Sequence, residues 1–270
     1  MKIKFALLLT FLTANLCIAQ DNFTVIKVSG TVLSQKNNRA LISGDKIQSK
    51  DALRFNSKDA YIILYSPKTG RKIIKGVPDE SPHEFMELLQ SYVKPSDKST
   101  ASRNAGSKYL DQLEQMLKYD TLLILGDGRI PIETDKLKID KPAGIRVIYK
   151  SGSNTRQKTI SDNQSFSLNR STVFDKEIPA AMPQVALQYY VNEAEDFAFA
   201  EGTFIGKFVP RYVEEVELKK EVSALMSAMA ENSISDGDQF KEIKGFLVWS
   251  YGGIIDENLK SWLKANKMIK

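Results

Sequence analysis

The sequence predicts a mixed α+β fold that is mainly antiparallel β. We expect a small N-terminal β domain, a helical linker, an Ig-like β-sandwich and a C-terminal helical region. Short alternating apolar segments punctuated by turn residues fill 23–76 and 121–210, whereas helical spacing of apolar residues appears between and after them. The contents of hydrophobic residues (42%) and charged residues (26%) are typical of folded globular proteins.

Residues 1–19 have the pattern of a secretory signal peptide. Lys2 and Lys4 form a basic start, and a mainly apolar stretch follows them. Cys17 and Ala19 then occupy the small-residue positions of a cleavage site. We therefore expect export, with cleavage after residue 19.

Cleavage there would make Gln20 the first residue and would remove the only cysteine. Exported proteins without disulfides are typical of Gram-negative envelopes, so we expect a periplasmic or surface protein of such a bacterium. A lipoprotein anchored through Cys17 is the alternative, although Leu16 stands where a small residue is usual. No later apolar stretch is long enough for a membrane span.

Residues 20–77 are predicted to form the small β domain, a barrel or sandwich of closely spaced short strands. In the segment FTVIKVSG, strict alternation places Lys27 on the same face as Phe23 and Val25. The opposite face of this strand is also apolar. We therefore expect the strand to be covered on both sides.

Glycine-led turns and alternating strands follow one another in a set order along this domain. Their residues are Gly30, Gly44, Asp45, Ile47, Asp51, Leu53, Phe55, Ser57, Ala60, Ile62, Leu64, Gly70 and Arg71. This order resembles the FecR-type β domain of bacterial envelope proteins. The resemblance implies a periplasmic domain that serves binding and signalling rather than catalysis. FecR proteins also have a cytoplasmic anti-sigma segment and a membrane helix, which we do not find, so sigma-factor regulation is not carried over.

Two local signals in this domain have a direct physical meaning. The Gly-Asp pair at 44–45 predicts a tight turn, through a positive φ or a side-chain hydrogen bond. A basic cluster at 68–75 predicts a solvated edge strand whose charges discourage further pairing. Binding of an anionic glycan or lipid is the alternative role for this cluster. Its members are Lys68, Arg71, Lys72 and Lys75.

Residues 78–120 are predicted to hold two short helices and a flexible linker. Ser81, followed by a proline and then by Glu84 three positions on, is typical of a helix start with a capping box. His83 would then lie in the first turn as a solvent-facing bystander. The segment 94–108 has no large apolar residue and predicts the linker.

Residues 121–210 are predicted to form the sandwich. The Gly-Asp-Gly turn at 126–128 predicts a hairpin between TLLIL and RIPIE, and the turn at 151–154 predicts a second hairpin. We expect a bulge near Gly206. The number of short strands with regular turns is typical of an Ig-like domain.

Residues 211–270 are predicted to be helical. Apolar residues recur at helical spacing in three segments, and the second segment ends at a Gly-Gly pair. We expect Asp256 to cap the last helix. Asp236-Gly237-Asp238 has the start of a calcium loop but lacks the later glycine and glutamate, so we interpret it as a turn and helix cap.

The chain has one histidine and one cysteine, which disfavours Ser-His-Asp and Cys-His catalysis and zinc sites. Neither a phosphate-binding loop nor a dinucleotide fingerprint is present. We therefore predict no catalytic, cofactor-binding or metal-binding residues. Paired carboxylates alone can hydrolyse glycans, so the acidic region with Glu193, Glu195 and Glu201 keeps a hydrolase as an alternative.

These observations favour an exported, non-enzymatic cell-envelope protein that acts as a binding or assembly module. We expect an envelope protein or a glycan as its partner. Loss of Lys2 and Lys4 would lower the formal net charge of +5 by two, and so mild a charge does not favour nucleic-acid binding. A carboxylate-dependent glycan hydrolase and a periplasmic sensor that signals to a membrane partner are the alternatives.

Overall fold

The computed structural model describes residues 22–76, 83–84, 119–131, 143–160, 165–174, 182–191 and 202–269. It shows a mixed α+β fold with mostly antiparallel sheets, as predicted. The chain forms two compact units. The first unit comprises Met1–Pro95 and Val216–Gln239, and the second comprises Ser96–Glu215 and Phe240–Lys270.

The described strands of the first unit form two four-stranded antiparallel sheets, ordered β4-β1-β6-β7 and β3-β2-β5-β8. These strands are β1 (Asn22–Ser29), β2 (Val32–Ser34), β3 (Arg39–Ala40), β4 (Lys46–Gln48), β5 (Ala52–Phe55), β6 (Tyr61–Ser66), β7 (Gly70–Lys75) and β8 (His83–Glu84). Both sheets contribute to one apolar core, which includes Phe23 and Leu64 from the first sheet and Val32 and Leu53 from the second. Burial of these alternating residues is the main driving force for the sandwich-like arrangement.

A bulge in β1 changes which residues face this core. The register of β1 against β6 shifts after Val25, which leaves Ile26 as the extra residue. Lys27 therefore leaves the face of Phe23 and Val25, and Val28 packs against the core in its place. The alternation-based placement of Lys27 is thus wrong, because alternation assumes an uninterrupted pleat.

The turn before β4 has both features that its Gly-Asp pair predicts. Gly44 has a φ of +95°, a conformation that glycine adopts without steric cost. The carboxylate of Asp45 accepts hydrogen bonds from the backbone N–H of Ile42 at 3.0 Å and from Arg39 Nη2 at 2.6 Å. The turn prediction is confirmed by these contacts.

The predicted edge strand of this domain is confirmed, and the helix predicted around His83 is wrong. Strand β7, which carries most of the basic cluster, is an edge strand of its described sheet, as its charges predict. His83 does not lie in a helix: it pairs with Leu53 in β8. The capping sequence around His83 reflects the preferences of adjacent residues. Its strand conformation depends instead on pairing with β5, which adjacent residues do not reveal. The rest of that predicted helix and the 94–108 linker lie outside the described residues.

The second unit has a five-stranded sheet, ordered β12-β11-β14-β15-β9, and a two-stranded sheet, β10-β13. The strands are β9 (Thr121–Leu123), β10 (Arg129–Pro131), β11 (Ala143–Ser151), β12 (Asn154–Thr159), β13 (Ser165–Ser167), β14 (Val185–Val191) and β15 (Gly202–Arg211), and a short helix, α1, spans Arg170–Phe174. Ile130 and Phe166 of the small sheet share one core with Val147, Leu187 and Phe208 of the large sheet.

One of the two predicted hairpins is confirmed and the other is wrong. Strands β11 and β12 pair antiparallel around the 151–154 turn. Strand β9 instead lies parallel to β15, while β10 pairs with β13. The 126–128 turn therefore connects a strand of one sheet to a strand of the other. Turn residues alone do not show whether the two strands that they connect pair with each other. The bulge expected near Gly206 lies at Ile205, where the β14–β15 register shifts.

Three helices end the chain: α2 (Glu215–Ala230), α3 (Asp236–Tyr251) and α4 (Asp256–Ala265). They confirm the predicted helical region. The division into units falls within α3, after Gln239. None of the described helices combines the length and apolar composition needed to span a membrane.

Two acidic residues near these helix starts have different roles. Asp238 accepts a hydrogen bond from the Ser235 hydroxyl at 2.8 Å, and Ser235 in turn accepts one from the Asp238 backbone, so this acidic segment is a helix cap as predicted. Asp256 does not cap α4, because Ile255 occupies the N-cap position. The Asp256 carboxylate instead accepts a hydrogen bond from Lys244 at 3.0 Å.

We expect Gly30→Ala to lower the free energy of unfolding by about 1–2 kcal/mol, since Gly30 has a φ of +73° and a Cβ there would lie 2.9 Å from Ala60 Cβ. Gly237→Ala is the control, because a Cβ added to Gly237 in α3 would have no neighbouring atom within 4 Å. In urea unfolding, Gly237→Ala should leave the free energy of unfolding unchanged or raise it by up to about 1 kcal/mol. Equal effects of the two variants would contradict this account of Gly30.

Candidate functional site

The residues singled out for chemistry from the sequence do not form a described site. Glu193, Glu195 and Glu201 lie outside the described residues, as does Cys17. His83 is placed only as a member of β8. Within the described ranges, no group of three or more His, Cys, Asp or Glu side chains is arranged to hold a metal ion.

The β4-β1-β6-β7 sheet has a second buried face, opposite the core that it shares with the other sheet. Thr24 lies on this face, paired with Lys46 on one side and Tyr65 on the other. Lys27 reaches the same face through the bulge, where it pairs with Ile63. Thr24, Tyr65 and Ile63 are all buried, so this face is covered.

Helix α2 of the same unit supplies the partners of both lysines. Lys27 Nζ donates a hydrogen bond to Glu221 Oε1 at 3.0 Å, and Lys46 Nζ donates one to Glu231 Oε1 at 2.7 Å. A helix rises about 1.5 Å per residue, so the two contacts are about 15 Å apart along α2. The helix therefore lies along the second face of the sheet. It presents a buried apolar stripe of Leu218, Val222, Leu225 and Met229.

The two ion pairs differ in environment. The side chains of Lys27 and Glu221 are only 12% and 9% exposed, whereas those of Lys46 and Glu231 are 52% and 56% exposed. Removing one partner of a buried pair strands the other charge away from water, which is strongly destabilising. An exposed pair contributes little to stability because water and salt screen it. The inner pair therefore anchors the helix, and the outer pair is accessible to solvent.

A cleft opens where α2 ends beside the sheet. Its volume is about 310 Å³, at the lower end of the range for small-ligand sites. The lining comes from the start of β1, from β4, from the turn between β6 and β7, and from the end of α2. Its residues are Asn22, Thr24, Lys46, Ser66, Pro67, Lys68, Ala228, Glu231 and Asn232. We call this the polar cleft.

The end of α2 shapes one wall of the polar cleft. Asn232 Nδ2 donates a hydrogen bond to the Ala228 carbonyl at 2.8 Å, and Ser233 has a φ of 54° that turns the chain away. The carbonyl groups at a helix C-terminus carry partial negative charge. Lys46 and Lys68, which line the opposite wall, are cations that complement it.

The polar cleft provides hydrogen-bonding groups rather than an activated nucleophile. Thr24 and Ser66 contribute hydroxyls, and Asn22 and Asn232 contribute amides. Among the described lining residues the carboxylate is that of Glu231, and it accepts hydrogen bonds from Lys46. This set of donors and acceptors suits a polar ligand with several hydroxyl or charged groups.

Of these residues, sequence reasoning singled out Lys68 alone, as a member of the basic cluster whose alternative role is binding of an anionic glycan or lipid. Two anomalies in the sequence could have indicated the contact between helix and sheet beside the cleft: a lysine within the apolar strand β1, and Glu221 within the apolar stripe of α2. A charge in an apolar stripe usually has a partner of opposite charge. The sequence does not show that these two residues, 194 positions apart, are partners.

A buried tyrosine in the second unit has a structural role. The Tyr212 hydroxyl donates a hydrogen bond to the Leu168 carbonyl at 2.7 Å, and its ring contacts Phe174 edge to face. Burial raises the pKa of Tyr212 above its ordinary value, although the nearby Arg170 partly opposes this. The hydroxyl therefore remains protonated and fastens the chain before α2 to the core.

Comparisons with protein-family models, curated proteins and solved structures found no match for this chain.

We expect Glu221→Ala to lower the free energy of unfolding by about 3 kcal/mol, because it removes the carboxylate that Lys27 contacts in a buried environment. Glu217→Ala is the matched control on the same helix, since the Glu217–Lys220 pair is exposed and should contribute below about 0.5 kcal/mol. Urea unfolding measures both variants. Adding Lys27→Met to Glu221→Ala should restore much of the loss, and a double variant that is less stable than Glu221→Ala would contradict the buried-pair interpretation.

Proposed function

We propose that this protein is a non-enzymatic, exported binding module of a bacterial cell envelope, and that the polar cleft holds its ligand. The observation that carries the proposal is the cleft itself, about 310 Å³ in volume and lined by two hydroxyls, two amides, two lysines and a glutamate. The signal-peptide pattern of residues 1–19 and the FecR-like order of turns in the first unit support the exported, binding role.

The chemistry of the lining favours a glycan as the ligand. Sugars present many hydroxyl groups, each of which can both donate and accept hydrogen bonds, as the hydroxyls and amides of the cleft do. Lys68 and the exposed Lys46–Glu231 pair add charged groups that can contact an acidic or amino substituent. Because Lys46 and Glu231 are about half exposed, a ligand can engage them without breaking the buried anchor.

We retain two finer structural expectations as part of this proposal. The second unit is an Ig-like sandwich, supported by the single core that its five-stranded and two-stranded sheets share. The segment between β8 and residue 120 acts as a linker, supported by its polar stretch at 94–108.

Binding of soluble peptidoglycan fragments, measured by isothermal titration calorimetry with the exported protein, tests the proposed function. We expect Lys46→Gln to weaken binding about tenfold, the loss of one charged hydrogen bond to the ligand. Lys220→Gln, an exposed lysine of α2 outside the cleft lining, should leave the affinity unchanged.

The same experiment separates binding from hydrolysis. The fragments should be recovered intact after long incubation, as judged by reducing ends and mass. Release of new reducing ends would favour the carboxylate-dependent hydrolase. Failure of the wild-type protein to bind, or equal binding by both variants, would overturn the assignment of the cleft to an envelope glycan.

A further inference from the structure

The five-stranded sheet of the second unit has a core face and an opposite face. Ile145, Val147 and Tyr149 of β11 belong to the core. Side chains alternate along a strand, so Arg146, Ile148 and Lys150 lie on the opposite face. We call this opposite face the outer face of the sheet.

The charges on this sheet are of one sign. Strands β9, β11, β12, β14 and β15 contain cations but no aspartate or glutamate. On the outer face these cations are Arg146, Lys150, Lys207 and Arg211, whereas Arg156 and Lys158 pair with the core residues Tyr149 and Val147 and lie on the core side. A surface built from such strands has a positive potential and raises the local concentration of anions.

Strand register shows how the outer face is laid out. In its central row, Ile148 of β11 pairs with Gln157 on one side and Ala186 on the other, and Ala186 pairs with Lys207. Lys150 and Lys207 are exposed, while Ile148 and Ala186 are partly buried. The centre of the outer face therefore carries short or partly buried apolar side chains, and the longer charged side chains lie around it.

The neighbouring row adds polar groups. Arg146 pairs with Gln188, and Arg146 Nε donates a hydrogen bond to Gln188 Oε1 at 3.0 Å. On its other side Arg146 pairs with Thr159 at the sheet edge. Gln188 and Thr159 therefore flank Arg146 on this face, and their amide and hydroxyl groups can bind hydroxyl groups of a ligand.

The spacing of the cations fits an extended ligand. Residues rise about 3.4 Å each along a strand, so Arg146 and Lys150 lie about 14 Å apart. Strands are about 4.8 Å apart, so Lys207, two strands from β11, lies about 10 Å across the sheet. Charges this far apart do not converge on one phosphate group, and they match a polymer whose acidic groups are spread along its chain.

We propose that the outer face of the five-stranded sheet binds an acidic polysaccharide. Its separated cations pair with the acidic groups, its amides and threonines bind sugar hydroxyls, and the low centre at Ile148 and Ala186 accommodates a sugar ring. This site lies in the second unit and uses none of the residues of the polar cleft. An experiment can therefore contradict ligand binding at the outer face without contradicting ligand binding at the polar cleft, and the reverse.

The test is binding of polygalacturonate to the full exported protein at low salt, with Lys150→Gln/Lys207→Gln as the test variant. We expect the dissociation constant to rise about tenfold in this double variant, since two exposed ion pairs are lost. Lys264→Gln/Lys267→Gln is the matched control, because it removes the same charge from exposed lysines at the C-terminal end of α4. The control should stay within about twofold of wild type, and its thermal midpoint should match that of the test variant.

Three further probes decide the class of ligand. Neutral dextran should not bind, and both phosphatidylglycerol vesicles and double-stranded DNA should bind more weakly than polygalacturonate. Stronger binding of vesicles or of DNA would overturn the proposal in favour of a lipid or nucleic-acid surface. Equal loss in the test and control variants, or no binding of polygalacturonate by wild type, would also overturn it.

Discussion

The first unit depends on the placement of one buried positive charge. Lys27 lies in a strand whose two faces are both covered, so its ammonium group requires a partner of opposite charge. The bulge at Ile26 turns Lys27 away from the apolar core, and Glu221 meets it on the other face. Bulge, lysine and glutamate therefore act together, since each would be unfavourable without the other two.

The position of the polar cleft follows from this anchor. Once Glu221 fixes the middle of α2, the register of the helix brings Glu231 beside Lys46 at the end of the sheet. The helix ends there, capped by Asn232, and the gap between its last turn and the β6–β7 turn forms the cleft. The cleft thus lies at the edge of the contact between helix and sheet, and the exposed Lys46–Glu231 pair is part of its lining.

Many local features of the fold were predictable from the sequence, and the pairing of distant segments was not. The turn at Gly44-Asp45 and the hairpin at 151–154 depend on the conformational preferences of a few adjacent residues, and the three C-terminal helices depend on periodicity within one segment. Two of the wrong predictions have a nonlocal cause, whereas the wrong placements of Lys27 and Asp256 come from a bulge and a helix start within their own segments. Whether the 126–128 turn joins paired strands, and whether His83 is helical or extended, depends on which strand edges are free elsewhere. The candidate site was missed for the same reason, because its two walls come from opposite ends of the chain.

Helix α2 is an integral layer of the first unit rather than an appended helix, because it contributes a buried ion pair and a buried apolar stripe. Native-state hydrogen exchange measures this most directly, by comparing the free energies of exchange for backbone amides in β1, in β6 and in the middle of α2 near Leu225. Our account predicts that the three segments exchange with the same free energy and lose protection together as denaturant rises. Exchange of α2 at a much lower free energy, with β1 and β6 still protected, would contradict it.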